Sequence, residues 1–267
     1  MKRMPAVAGQ FYSATATALT EQVTSYVEQG CEKQKVIGCV CPHAGLVYSG
    51  SVAGSIYSLI EMPHTLILIG PNHTGWGQPI SIMPSGTWQI PTGSLKVNEE
   101  LAQKIFSHSD KILKDAQAHM YEHSLEVQLP FILFFSQTVK IVPITMMSTS
   151  LEDCQEMGRV LADVIKETDH SVTIIASSDM SHFETDEITR IKDHKAIEKI
   201  LSLDPVGLHQ TVRQHHISMC GYGPTTTMLF AANHLGAQKA ELIKYMTSGD
   251  VSGDYDRVVG YAGVIVK

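Results

Sequence analysis

One layout recurs along this chain and restricts how it can fold. Val36-Ile37-Gly38-Cys39-Val40 runs into Cys41-Pro42-His43-Ala44-Gly45, and Leu66-Ile67-Leu68-Ile69 runs into Gly70-Pro71-Asn72-His73-Thr74-Gly75. A third copy of the theme is Val172-Thr173-Ile174-Ile175-Ala176, followed by Ser177-Ser178-Asp179-Met180-Ser181-His182. Each is an apolar run of buried-strand length that leads into a turn carrying a histidine. In a mostly parallel sheet, ligands sit just beyond the carboxyl ends of the strands. If these three strands are neighbours, three imidazoles and one carboxylate converge on one crevice, which would be a metal or acid–base site.

The segments between these runs have helical spacing. Leu19, Val23, Tyr26 and Val27 share one helix face, and Val52, Ile56, Leu59 and Ile60 a second, directly after the His43 turn. Met157, Val160, Leu161, Val164 and Ile165 mark a third helix, and Ile188, Ile191, Ile197, Ile200 and Leu201 a fourth. Asp204-Pro205 has the form of an N-cap followed by proline at the first helical position, and a further helix is expected from Pro224 to Gly236. Strands are predicted at 36–40, 66–69, 139–144, 172–176, 241–246 and 258–266, with 76–98 as a hairpin-like excursion. Alternating strands and helices imply an α/β fold: a central mixed or mostly parallel sheet flanked by helices. With no linker, low-complexity tract or solenoid repeat, residues 1–267 are expected to form a single domain.

Composition narrows the function classes. A hydrophobic content of 43% and a charged content of 18% are those of an ordinary globular protein, and a net charge of −7 without a Lys/Arg cluster argues against a nucleic-acid partner. No apolar run reaches the roughly 20 residues that span a bilayer, so no membrane association is expected. Met1-Lys2-Arg3-Met4-Pro5 leads into no apolar signal region, and the 5 cysteines form neither a disulfide-rich framework nor a Cys-x-x-Cys pair. A cytoplasmic location with reduced thiols follows as the expectation. The 13 histidines are the one compositional hint of metal chemistry.

Three constellations carry that hint. His43, His73 and His182 share an address after a buried-type strand, although each taken singly reads more readily as a structural or surface histidine than as a functional one. Asp179 could be a ligand, a base, the acceptor that orients an imidazole, or a simple turn residue. In the second, His119-Met120-Tyr121-Glu122-His123-Ser124-Leu125-Glu126, a helix would place His119, His123 and Glu126 on one face; the alternative is a polar face on an apolar segment. His123 and Glu126 are favoured because they abut the apolar stretch Val127–Phe131. In the third, Cys220 precedes a predicted helix between flanking glycines, where the helix dipole favours a thiolate. That suits a nucleophile or a soft metal ligand, against the alternative of a small buried apolar side chain. The acidic glycine-rich turn 247–256 is expected at the rim of the site.

Arg3-Met4-Pro5-Ala6-Val7-Ala8-Gly9-Gln10-Phe11-Tyr12, Pro42-His43-Ala44-Gly45, Gly70-Pro71-Asn72-His73, Glu122-His123-Ser124-x-Glu126, Ser177-Ser178-Asp179-x-Ser181-His182, Cys220-Gly221 and Val258-Val259-Gly260-Tyr261-Ala262 together resemble the Memo family. The resemblance covers nearly the whole chain and is to the prokaryotic type, also labelled component B of the AmmeMemoRadiSam system. It implies a fold similar to the class III extradiol dioxygenases, which use non-haem iron, and radical-SAM and AMMECR-type protein partners. Position by position, it implies His43, His73 and Cys220 as metal ligands, His182, Asp179 and His123 as catalytic-site residues, and Phe11, Tyr48 and Glu126 as pocket residues. A thiolate in the third ligand position, where the dioxygenases have a carboxylate, favours copper beside iron. The expected function is a metal-dependent, dioxygenase-like oxidoreductase acting on a small molecule. The alternative is a non-catalytic module whose histidine-lined pocket captures a phosphorylated or anionic peptide, as the eukaryotic relatives' phosphotyrosine binding suggests.

Overall fold

A computed structural model describes residues 1–267. The three histidine-bearing segments are indeed neighbours. Strands Gly38–Cys41, Val172–Ser177, Thr65–Pro71 and Lys140–Met146 lie side by side in that order, all parallel. Leu66, Ile67, Leu68 and Ile69 have no accessible surface, as expected of a strand covered on both faces. Truncating any one to alanine would cost about 2–5 kcal/mol. Around this parallel centre the 9-stranded sheet becomes mixed. Val258–Val266 runs antiparallel to Gly38–Cys41 and also pairs with Ala240–Thr247 and His182–Glu184, while Ile80–Ile82 runs antiparallel to Lys140–Met146.

The excursion at 76–98 divides its work. Ile80–Ile82 joins the main sheet, and the hairpin Thr87–Ile90/Gly93–Lys96 pairs with Lys2–Arg3 in a separate three-stranded sheet. Helices Leu46–Leu59, Leu151–Lys166 and Tyr222–His234 cover the faces, and one cluster of 65 buried residues runs through the molecule. Leu46–Leu59 is built of apolar and small residues and buried over most of its surface from Ser49 on, so it is enclosed rather than amphipathic. Its Gly54 lets the backbone of Tyr26 approach so closely that a Cβ there would lie 2.2 Å from the Tyr26 carbonyl oxygen. Leu151–Lys166 starts where the Ser150 hydroxyl accepts from the Asp153 N–H at 3.1 Å, and Glu152 and Asp153 in its first turn suit the helix dipole.

The stretch 119–126 does not form the single helix that would place its three site candidates on one face. Gln117–Met120 is one short turn of helix, and a 3₁₀ turn follows only at Glu126–Gln128. The reason is local: the Glu122 carboxylate accepts from the Ser124 N–H at 2.7 Å and from the His73 N–H, so it takes an amide that a helix would need. His119, His123 and Glu126 consequently point to three different places.

Candidate metal centre

His43 leaves the end of Gly38–Cys41 and His73 the end of Thr65–Pro71, with Val172–Ser177 between them. His123 comes from the irregular turn before Glu126–Gln128. One nitrogen from each of His43, His73 and His123 lies within 4.8 Å of the others, and these three side chains could hold a metal ion. The rings are 5.2 Å apart for His43–His73, 5.5 Å for His43–His123 and 4.6 Å for His73–His123.

The surroundings decide which nitrogens are free. The Ser177 hydroxyl donates to the Ser124 carbonyl at 2.6 Å and accepts from Gln128 Nε2 at 2.9 Å. A hydroxyl has one proton and two lone pairs. Its remaining lone pair therefore accepts from His43 Nδ1–H, at 2.9 Å, which leaves His43 Nε2 unprotonated. Gln128 is itself fixed, because its Oε1 accepts from the Tyr57 hydroxyl at 3.0 Å and its Nε2 also donates to the Pro42 carbonyl at 2.9 Å. On His73, Nδ1–H donates to Glu122 Oε1 at 2.9 Å and again leaves Nε2 unprotonated. Burial alone would raise the Glu122 carboxyl, but hydrogen bonding and charge from His73, with the Ser124 N–H, outweigh it and bring the pKa down to about 2. Glu122 is thus an anion with no solvent exposure whose role is to hold His73.

Burial, then repulsion from the neighbouring imidazoles, holds His43 well below the usual histidine range. Burial lowers His123 too, more than the nearby Glu122 raises it. These two rings are therefore neutral at neutral pH, with lone pairs available. Neutral imidazoles whose second nitrogen is hydrogen-bonded to an oxygen are what a metal centre requires.

The other expected site residues take different positions. Cys220 stands beside the trio, its Sγ 3.3 Å from His43 Nε2, because Gly221 packs so tightly on strand Val172–Ser177 that a Cβ would lie 2.3 Å from the Ser177 carbonyl oxygen. The expected thiolate is not what this pocket favours: burial, then the Asp179 charge, pushes the Cys220 thiol up, outweighing the hydrogen bonds from the Asp179 and Gly221 amides and Ser178 that would lower it. The third member of the imidazole cluster is accordingly His123. Asp179 does not orient a ring. Its Oδ1 accepts from the backbone N–H groups of His43 at 2.8 Å and Ala44 at 3.2 Å, so it holds the His43 turn through the main chain. His182 is oriented instead by the Ser218 carbonyl, which accepts from Nδ1 at 2.8 Å.

Glu126 is not a pocket residue. It has no exposure and pairs with the equally buried Arg3, while accepting from the Ala6 N–H at 2.8 Å, the Val7 N–H at 3.1 Å and the Tyr12 hydroxyl. It pins the N-terminal segment, and through it sets Phe11 against His123 with ring centroids 4.6 Å apart. His119 points away from the trio toward Trp88, whose ring centre is 5.8 Å distant.

A cavity of about 580 Å³ opens over the trio. Phe11, Tyr48 and Tyr261 give it aromatic walls, and Asp179 and His182 line it beside the histidines. The turn 247–256 does form part of the rim, through Ser248, Ser252 and Asp254. The residues that sequence reasoning passed over are Glu122, Ser177 and Gln128. Each carried a faint signal: a carboxylate adjoining a candidate ligand, a hydroxyl at the end of an apolar strand, and one polar residue inside Val127–Phe131.

A model of the family described as Memo-like protein matches residues 3–265. The chain belongs to the Memo family. It is 44% identical over 268 residues to a MEMO1 family protein of Methanosarcina mazei, with 99% of each chain covered. A MEMO1 family protein of Pyrobaculum aerophilum is 42% identical over 275 residues, with 98% of each covered. One of Methanopyrus kandleri is 38% identical over 281 residues, covering 100% of this chain and 99% of its own. The crystal structure of an uncharacterized protein from Escherichia coli K12 superposes with a TM-score of 0.56 at 13% identity, over 86% of this chain and 100% of that one. That likeness extends to the fold alone. Within this Memo chain, no helix is long and apolar enough to cross a membrane.

Proposed function

We propose that this Memo protein is a metal-dependent oxidoreductase in which His43, His73 and His123 hold an iron or copper ion at the floor of the aromatic cavity. The observation that carries this reading is the convergence of three imidazoles, two of them fixed by Ser177 and Glu122 so that Nε2 is unprotonated. Imidazole nitrogen suits both metals, and Cys220 at 3.3 Å from His43 Nε2 is a soft fourth donor that would favour copper on losing its proton. When bound, such an ion supplies redox chemistry and Lewis acidity.

The chain's own residues supply the rest. Glu122 raises the donor strength of His73 and fixes its ring plane. Phe11, Tyr48 and Tyr261 shield the floor from water and offer flat apolar surface to a small organic substrate. His182, with Nδ1–H tied to Ser218, keeps Nε2 as an acceptor, and it is the group placed to take a proton from that substrate. Elemental analysis and EPR of protein purified without added metal test the reading. Iron or copper near one equivalent, lost in His73→Ala, is the expected result; protein that refuses both metals would refute it.

A further inference from the structure

The turn 179–182 supplies the cavity with two side chains, Asp179 and His182, and it is held from behind by a carboxylate that lies outside the cavity lining. Asp193, in helix Asp186–Leu201, has no solvent exposure. Its Oδ1 accepts from the Ser181 N–H at 2.9 Å, and its Oδ2 accepts from the Tyr245 hydroxyl at 2.8 Å. No cation lies within salt-bridge distance of it. Arg190, one turn earlier on the same helix, is committed to Asp186 at 2.6 Å and Asp250 at 2.9 Å, and Lys192 is committed to Glu184.

An unpaired buried carboxylate is a poor choice where stability alone is at stake, because burial disfavours its charge and two neutral donors return only part of the lost solvation. The neighbouring strand is also shaped around it. Gly260 lies inside Val258–Val266, and a Cβ there would stand 1.9 Å from Asp193 Oδ2. Glycine weakens a strand interior and marks a close approach, which here is the approach of the carboxylate.

Both features serve the main chain between Asp179 and His182. The Gly260 carbonyl accepts from the Met180 N–H at 2.9 Å, and the Gly260 N–H donates to the Ser181 carbonyl at 2.9 Å, which leaves the Ser181 N–H to Asp193. On one side of this anchor, Asp179 holds the His43 and Ala44 amides. On the other, His182 gives its N–H to the Ser218 hydroxyl at 2.7 Å and its Nδ1–H to the Ser218 carbonyl at 2.8 Å. Without the carboxylate, the Ser181 N–H is a buried donor with no partner, and the turn must shift to find one. His182 then moves out of line with the carbonyl that selects its tautomer.

We propose that Asp193 is a positioning residue: through the Ser181 amide it fixes the 179–182 turn, so that His182 keeps Nδ1–H on Ser218 and presents Nε2 to the cavity as an acceptor. This rests on the reading of His182 as the group that takes a proton from substrate, and it names the residue that sets the orientation of that acceptor.

The test is long-range proton–nitrogen NMR of the imidazoles in the full chain after chelation, above pH ~8, where imidazoles are neutral. The native protein should show His182 as the Nδ1–H tautomer, and His209, whose Nε2–H donates to the Thr149 carbonyl at 2.8 Å, as the Nε2–H tautomer. Asp193→Ala should turn His182 into a mixture of tautomers and speed exchange of the Ser181 amide by about tenfold or more, with His209 unchanged. Asp193→Asn, whose amide oxygen still accepts from Ser181, should keep the native pattern. If Asp193→Ala does not fold, Asp193→Leu, which fills a similar volume without an acceptor, takes its place with the same outcome expected. A single Nδ1–H tautomer that survives loss of the carboxylate, a mixture already present in the native protein, or a mixture in Asp193→Asn would each overturn the inference. So would a His209 signal that changes together with His182, because general loosening would then be the cause. The readout needs neither metal nor substrate: a protein that takes up no iron or copper, yet loses the His182 tautomer only when the Asp193 acceptor is removed, would overturn the metal reading and not this one.

Discussion

Histidines gather at both ends of the same parallel strands, and the two gatherings differ in kind. At the amino end, His64 and His170 bring their rings to 4.2 Å, closer than any pair in the trio. Both direct a nitrogen at one hydroxyl, Thr65 Oγ1, at 3.1 and 3.2 Å, while Asn98 donates to the same oxygen at 2.8 Å. The second nitrogen of His170 lies 3.2 Å from Asp169, so that ring has no nitrogen left over. At the carboxyl end, His43 and His73 each have Nδ1 fixed by an outer partner and an unprotonated Nε2 directed toward a shared point. Proximity of imidazoles is therefore a poor sign of a metal site. What distinguishes the two ends is where the Nδ1 protons go and whether the remaining lone pairs converge.

The largest effect should separate the two ends directly. His43→Ala or His73→Ala should abolish stoichiometric metal uptake, whereas His64→Ala or His170→Ala should leave it unchanged, as read by elemental analysis after dialysis. If His64→Ala lost the ion as completely, the contrast would be broken.

A finer division sits within the trio's own supports. Glu122 and Glu126 are four residues apart and equally buried, but one holds His73 and the other holds Arg3. Glu122→Gln should weaken metal binding by about 10–100-fold with a smaller change in stability. Glu126→Gln leaves Arg3 charged, buried and without its anion, so it should lower unfolding free energy by about 3–5 kcal/mol. Chemical denaturation run beside a metal titration on both variants distinguishes the two roles, and matching profiles would show that the carboxylates are interchangeable.

The smallest effect concerns acid. His43 and His123 titrate lower in the folded protein than the ordinary value of about 6.5, so below that pH the unfolded chain binds more protons than the native one. Stability of the metal-free protein is therefore fully present above pH ~6.5 and falls on acidification from there toward the lowered folded values. His43→Gln should flatten that slope in denaturation curves taken at pH 5 to 7.5, and an unchanged slope would mean that His43 is not buried in its neutral form.

The sequence made the strand-end addresses legible because Leu66–Ile69 and its two counterparts are continuous apolar runs, and a run of that kind can only be buried. His43 and His73 followed from it. Their partners did not, because Ser177 reaches His43 only through the pairing of Cys41 with Ser177 across two strands distant in the chain. The one-face arrangement that a helix over 119–126 would give is absent for a related reason: Glu122 captures an amide that such a helix needs, a contact created by tertiary placement of His73. Glu126 was misplaced because a carboxylate near a candidate ligand looks the same in sequence whether it faces a cavity or a buried arginine. Cys220 was located correctly beside a helix start, but its protonation is set by burial, which sequence spacing does not measure.

The central claim is that three imidazoles, and not two with a thiolate alone, bind the ion. Electron spin-echo envelope modulation of the copper(II)-loaded protein measures this directly, because the remote nitrogen of each coordinated imidazole modulates the echo. Three remote nitrogens in the native chain, falling to two in His123→Ala and staying at three in Cys220→Ser, is the result this account predicts. A count of two that is indifferent to His123→Ala, with the copper–thiolate charge-transfer band lost in Cys220→Ser, would contradict it.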